Sequence, residues 1–153
     1  EPDLYAAEEM FALGNGVFYE KYPMYDNVTE VLSHLDMSGK RLFLCTKGEY
    51  SIQMNKIIKN SLFDFFPHNQ IYVVPKKTKE EMWKIAVDHK LIPAETVMIG
   101  DSLKDDIKSA QEVGFVTVHI TGNEAANHWK YEDTSGINPN YRLETVADLL
   151  PNN

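Results

Sequence analysis

The sequence predicts an α/β fold with a mostly parallel sheet. Three observations carry this expectation. Short apolar runs alternate with amphipathic segments along most of the 153 residues. The run Arg41–Thr46, RLFLCT, lacks polar alternation, as a strand covered on both faces does. The stretch Val97–Gly114, VMIGDSLKDDIKSAQEVG, joins an apolar run to a segment of helical spacing through a turn rich in acids. Strands followed by helices imply right-handed crossovers and parallel pairing.

Taken in order, residues 3–13, DLYAAEEMFAL, place Leu4, Ala7 and Phe11 on one face and predict a helix closed by Gly14-Asn15-Gly16. Val17–Asp26 is aromatic and irregular. It reads as a packed loop, with a substrate-facing loop as the lesser alternative. A helix is predicted from Asn27 to Met37, capped by Asn27, with Val28, Val31, Leu32 and Leu35 inward. The Arg41–Thr46 strand breaks at Lys47-Gly48. A helix follows over Glu49–Asn60, with Ile52, Ile57 and Ile58 as core residues. Ile71–Val74 is a second short strand. A helix from Thr78 to Lys90 comes next, with Thr78 and Glu81 in capping-box spacing and Met82, Trp83, Ile85 and Ala86 inward. Val97–Ile99, Phe115–Ile120 and Tyr141–Leu143 complete the strands, with helices over Ser102–Glu112 and Glu144–Leu150. The segment between Thr121 and Asn140 reads as mostly loop.

A hydrophobic fraction of 43% allows a real core. The net charge of -8 argues against nucleic acid or an anionic membrane surface as a partner. A small phosphorylated substrate is still compatible, because a local cation overrides the global field. One cysteine, Cys45, excludes a disulfide framework and fits a reducing, cytoplasmic compartment. No apolar run reaches the length of a membrane span. The spacing of the five histidines suggests no zinc site. His119, His128 and Trp129 are expected after the fourth strand, at the rim of a site.

In an open parallel sheet, the loops after successive strands share one edge, where ligands bind. Three such loops carry chemistry: Thr46-Lys47-Gly48, then Lys76-Lys77, then Gly100-Asp101-Ser102 with Asp105 and Asp106. Together they offer a hydroxyl, backbone amides, a cation and carboxylates. Those groups hold a phosphoryl group and neutralise its charge. Clustered acids repel unless a hard cation such as magnesium lies between them. The alternative is structural: Asp101 and Ser102 cap the helix, and Asp105 and Asp106 favour its dipole. Lys77 alone also reads as a solvated lysine at a helix start.

These residues resemble the haloacid dehalogenase (HAD) superfamily, mostly phosphohydrolases. The resemblance runs from about Tyr22 to Leu150. GDSLKDDIKSA at Gly100–Ala110 is similar to the superfamily's acidic fourth motif, LFLCTKGE at Leu42–Glu49 to its second, and VVPKKTKEEMWKIA at Val73–Ala86 to its third. The resemblance implies a three-layer αβα, Rossmann-like parallel sheet and magnesium as cofactor. It implies that Thr46 hydrogen-bonds the phosphoryl group, with Lys47 and Gly48 beside it. It assigns the cation to Lys77, with Lys76 and Lys79 as fallbacks. Asp101 would coordinate the metal, Asp106 would bind or orient its shell, and Gly100, Ser102 and Asp105 would support the turn.

The superfamily's first motif, a strand ending in Asp-x-Asp, has no match in these residues. Its first Asp is the covalent nucleophile. By resemblance its strand lies between those at Leu42–Thr46 and Val97–Ile99. The chain is therefore expected to be an incomplete core domain, residues 27–153, behind a cap and linker remnant, residues 1–26. The open edges would recruit a complementing N-terminal segment or a second copy, or the flanking strands would close up and pair. The functional expectation is the C-terminal part of a magnesium-dependent phosphate-monoester hydrolase, inactive alone. The alternative is a catalytically silent module that binds metal, phosphate or a partner.

Overall fold

The computed structural model describes residues 23–122 and 134–151. The expected helix at 3–13, most of the aromatic loop, and His128 and Trp129 lie outside those residues. By its contacts the chain divides into two compact units. One is built on Arg41–Pro75, the other on Asp26–Lys40 and the chain from Lys76 onward. Among the described residues all strand pairs are parallel, in one sheet of two strands and one of three.

In the first unit, β1 (Leu44–Lys47) pairs with β2 (Ile71–Val74), with Leu44 opposite Ile71 and Lys47 opposite Val74. The strand begins three residues later than RLFLCT suggests. All four of its residues are half-buried rather than buried. Gly48 turns the chain with φ 145° and donates its N–H to the Val74 carbonyl at 3.0 Å. The connecting helix α1 (Tyr50–Lys59) starts at Glu49, whose carboxylate accepts from the Ser51 and Ile52 amides at 3.1 and 2.9 Å. Ile57 is buried, but Ile58 is 60% exposed, because adjacent helical residues point about 100° apart. Beyond α1, Phe63 and His68 stack at 4.2 Å.

In the second unit, α2 (Val28–Met37) is not capped as predicted. Asn27 takes the left-handed conformation, φ 64°, and its amide donates to Glu30 at 3.1 Å instead. A short polar side chain tolerates that conformation. Helix α3 (Lys79–Asp88) has one half of its expected capping box: Thr78 Oγ1 accepts from the Glu81 amide at 3.4 Å. Its inward face is Met82, Ile85 and Ala86. Trp83 lies off that stripe and is 53% exposed, against expectation. Strand β3 (Val97–Gly100) pairs with β4 (Val116–Ile120), which pairs with β5 (Tyr141–Leu143). Met82, Ile107, Ala110, Phe115, Val118 and Ile120 form this unit's core. Leu103–Lys108 forms a π-helical turn, and only Ser109–Gln111, α4, is α-helical. A continuous α-helix over Ser102–Glu112 is therefore not what forms. The final segment, Val146–Leu149, is a 3-10 turn with a Thr145–Asp148 capping box.

The strands expected to flank the Asp-x-Asp strand, β1 and β3, each end a separate sheet. Among the described residues β1 is paired with β2 alone and β3 with β4 alone. Among the described residues no strand precedes β1.

Candidate functional site: the acidic turn after β3

The second unit gathers six sequence-predicted site residues around one turn: Lys77, Gly100, Asp101, Ser102, Asp105 and Asp106. Ser102 caps it. Its hydroxyl accepts from the Asp105 amide at 3.0 Å, and its carbonyl accepts from both Asp106 N and Ile107 N, at 2.9 and 3.1 Å. The bond to Ile107 spans five residues and makes the turn π-helical. Such bulges tend to occur at functional sites. The Asp106 side chain folds back under the turn, where Oδ2 accepts from the Ser102 amide at 3.1 Å. This is possible because residue 100 is glycine: a Cβ there would fall on the Asp106 carboxylate.

Lys77 reaches the same carboxylate, with Nζ 2.5 Å from Oδ1. The side chains are 16% and 5% exposed. A charge-assisted contact at that depth is strong and fixes both groups. Both Asp106 oxygens are thus engaged within the protein, and the carboxylate holds the lysine and the turn in place. Ser109 Oγ, also buried, donates to the Asp105 carbonyl. The structural alternative therefore holds for Ser102, which caps the turn, while Asp106 is engaged by Lys77 and the Ser102 amide.

Asp101 differs. It is half-buried, and its carboxylate takes no hydrogen bond or ion pair from the protein among the described residues. Magnesium needs only one or two protein carboxylates, completed by water and substrate oxygens. The open Asp101 carboxylate could serve as such a ligand, with Asp106 orienting the turn behind it. Among the described residues no group of three or more His, Cys, Asp or Glu is arranged to hold a metal ion. Lys76 and Lys79, the fallback cations, line an open cleft of about 520 Å³ with Lys77, Lys104 and Lys108.

Thr46, Lys47 and Gly48 belong to the other unit, at the C-terminal end of β1. Thr46 Oγ1 donates to Gln53 Oε1 at 2.9 Å, leaving its lone pairs to accept. Glycine is favoured at residue 48 by its φ of 145°, a conformation that other residues rarely adopt.

Sequence reasoning placed His119 after the fourth strand, on a site's rim, and missed its buried contacts. It lies within β4, 1% exposed, rather than at a rim. Its Nε2 is 3.1 Å from the Asp101 carbonyl oxygen, and its Nδ1 is 3.3 Å from Arg142 Nη1. The only signal was register. Gly100, His119 and Arg142 are consecutive partners across β3, β4 and β5.

In open parallel α/β sheets ligands bind outside the carboxyl ends of the strands, the edge at which this turn lies. A family model described as haloacid dehalogenase-like hydrolase matches residues 4–114, and the chain belongs to that family. It is 34% identical over 92 residues to a glyceraldehyde 3-phosphate phosphatase of Pyrococcus furiosus, covering 58% of this chain and 38% of that protein. It is 28% identical over 134 residues to the Methanopyrus kandleri protein of the same name, covering 82% and 54%. The chain thus spans about half or less of the curated relatives' length. Among solved structures, a HAD phosphatase from Thermococcus onnurineus superposes with TM-score 0.67 at 24% identity, covering 82% of this chain and 56% of its own. A putative HAD-hydrolase from Bacillus subtilis, YfnB, bound to magnesium, also gives 0.67 at 24% identity, with 82% and 54% covered. These likenesses establish the fold, a Rossmann-like α/β fold with parallel sheets.

No helix among the described residues is long and apolar enough to cross a membrane.

Proposed function

We propose that this chain is the C-terminal part of a magnesium-dependent phosphate-monoester hydrolase, with the aspartate nucleophile on a segment outside these 153 residues. The observation that carries the reading is the turn after β3: Asp101 presents a carboxylate with no protein partner among the described residues, beside Asp106 clamped by Lys77. Lys77 would balance the charge of the phosphoryl oxygens, held in place by Asp106 rather than by substrate. Thr46 would hydrogen-bond the phosphoryl group, flanked by the backbone of Lys47 and Gly48. Asp101 would ligate magnesium, with Asp106, Gly100, Ser102 and Asp105 shaping its surroundings. Magnesium, when bound, would neutralise charge on the phosphoryl oxygens. Residues 1–26 are read as cap and linker, and 27–153 as core.

The substrate is a small phosphorylated molecule. The relatives' name makes glyceraldehyde 3-phosphate the first ester to test. A second reading, a silent metal- or phosphate-binding module, is favoured by the lack of any Asp-x-Asp in the sequence. The deciding experiment measures phosphate release from p-nitrophenyl phosphate and glyceraldehyde 3-phosphate with magnesium present. The chain alone is expected to release none. A form extended upstream through a strand ending in Asp-x-Asp is expected to release phosphate. An extended form that hydrolyses neither ester removes the enzyme reading.

A further inference from the structure

We propose that His119, held in one tautomer by Arg142, is the positioning residue that sets the direction of the Asp101 carboxylate. This rests on the reading of Asp101 given above and adds what holds it.

Across the row Gly100–His119–Arg142, registered partners put their side chains on one face of the sheet. The guanidinium of Arg142 has donors only, so at 3.3 Å its Nη1–H donates to His119 Nδ1, which must accept. The ring proton of the neutral imidazole is then on Nε2. Its partner, the Asp101 carbonyl oxygen at 3.1 Å, can only accept, so Nε2–H donates to it. One tautomer satisfies both neighbours. The Nδ1–H form would set two donors against each other at Arg142 and two acceptors against each other at Asp101.

The bonded carbonyl belongs to the peptide joining Asp101 to Ser102. Fixing that peptide plane restrains the backbone at Asp101, and with it the Cα–Cβ vector that aims the carboxylate. The Ser102 amide on the other side of the same plane is tied to Asp106 Oδ2. The Asp101 peptide is therefore gripped at both ends, by His119 at its oxygen and by Asp106 at its nitrogen. The Asp101 side chain itself is gripped by neither. That division leaves the carboxylate open to a ligand while its direction is set from behind.

The test uses the whole chain and reads nuclear magnetic resonance. Long-range proton–nitrogen correlation in the wild type is expected to show His119 protonated on Nε2 alone. Arg142→Met, at an exposed position, is expected to give a mixture of tautomers. His119→Leu is expected to shift the Asp101 and Ser102 backbone resonances and to weaken their magnesium-dependent shifts about tenfold. His119→Gln, whose amide N–H can replace Nε2–H, is expected to restore both to within a few-fold. An Nδ1–H tautomer in the wild type overturns the proposal. So do unchanged Asp101 and Ser102 resonances in His119→Leu, or a folded His119→Gln that restores nothing. A wild type with the expected tautomer but no magnesium-dependent shift counts against the metal reading instead. The positioning is then decided by the Asp101 and Ser102 backbone resonances alone.

Discussion

The Asp106 carboxylate occupies the space where residue 100 would carry a Cβ, and only glycine at that position lets it lie against β3. Gly100→Ala must push Asp106 away or bend the strand end. A clash of this kind in a packed site costs about 1–3 kcal/mol. Urea denaturation is expected to show that loss, and the Ser102 amide is expected to lose its protection from hydrogen exchange. An alanine variant as stable as wild type would mean the turn has a second arrangement.

Lys77 and Asp106 are separated by 29 residues in sequence and joined by a short, largely buried ion pair. Removing one partner of such a pair strands the other charge away from water. Lys77→Met is therefore expected to cost about 3 kcal/mol. Asp106→Asn is expected to cost less, because its amide oxygen can still accept from one neighbour. A double-mutant cycle checks the coupling, and a Lys77→Met cost below about 0.5 kcal/mol, the ordinary surface value, refutes the clamp.

Glu49 caps α1 from a fully exposed position. The Ser51 hydroxyl, then the Ile52 and Ser51 amides, hold its carboxyl below the usual glutamate range. A depressed folded value means the stabilisation is present above the unfolded pKa and lost as pH falls through the folded one. Glu49→Gln should therefore lower the denaturation midpoint at neutral pH and have little effect in acid. An equal effect at both ends of the range would place the contribution outside ionisation.

Where structure followed local chemistry, the sequence was readable. Ile71–Val74 and Tyr141–Leu143 form the strands their composition suggests, and the acidic turn follows β3 as expected. Lys77 could be singled out by its place before α3, but its contact with Asp106 depends on how two loops meet. The other departures share that cause. Asn27 had the chemistry of a cap, yet its side chain bonds Glu30. The α-helical period of Ser102–Glu112 gave no hint that Ser102 would accept from two successive amides and widen the turn. His119 bonds Asp101 and Arg142 over separations of 18 and 23 residues, so only strand register could reveal it.

Asp101 separates binding from stability. Its carboxylate has no protein partner among the described residues, so Asp101→Asn is expected to change stability without magnesium by no more than about 0.5 kcal/mol. With magnesium at 100 times its dissociation constant, the wild type should gain about 2.7 kcal/mol, the stabilisation expected of a ligand that binds the folded state alone. The asparagine variant should gain far less, and a chelator should return the wild type to its metal-free value. Thermal denaturation across a magnesium titration reads both quantities at once. If wild type and Asp101→Asn rise in parallel, the ion is bound elsewhere, and the turn after β3 is held together by Lys77 and Ser102 without serving a metal.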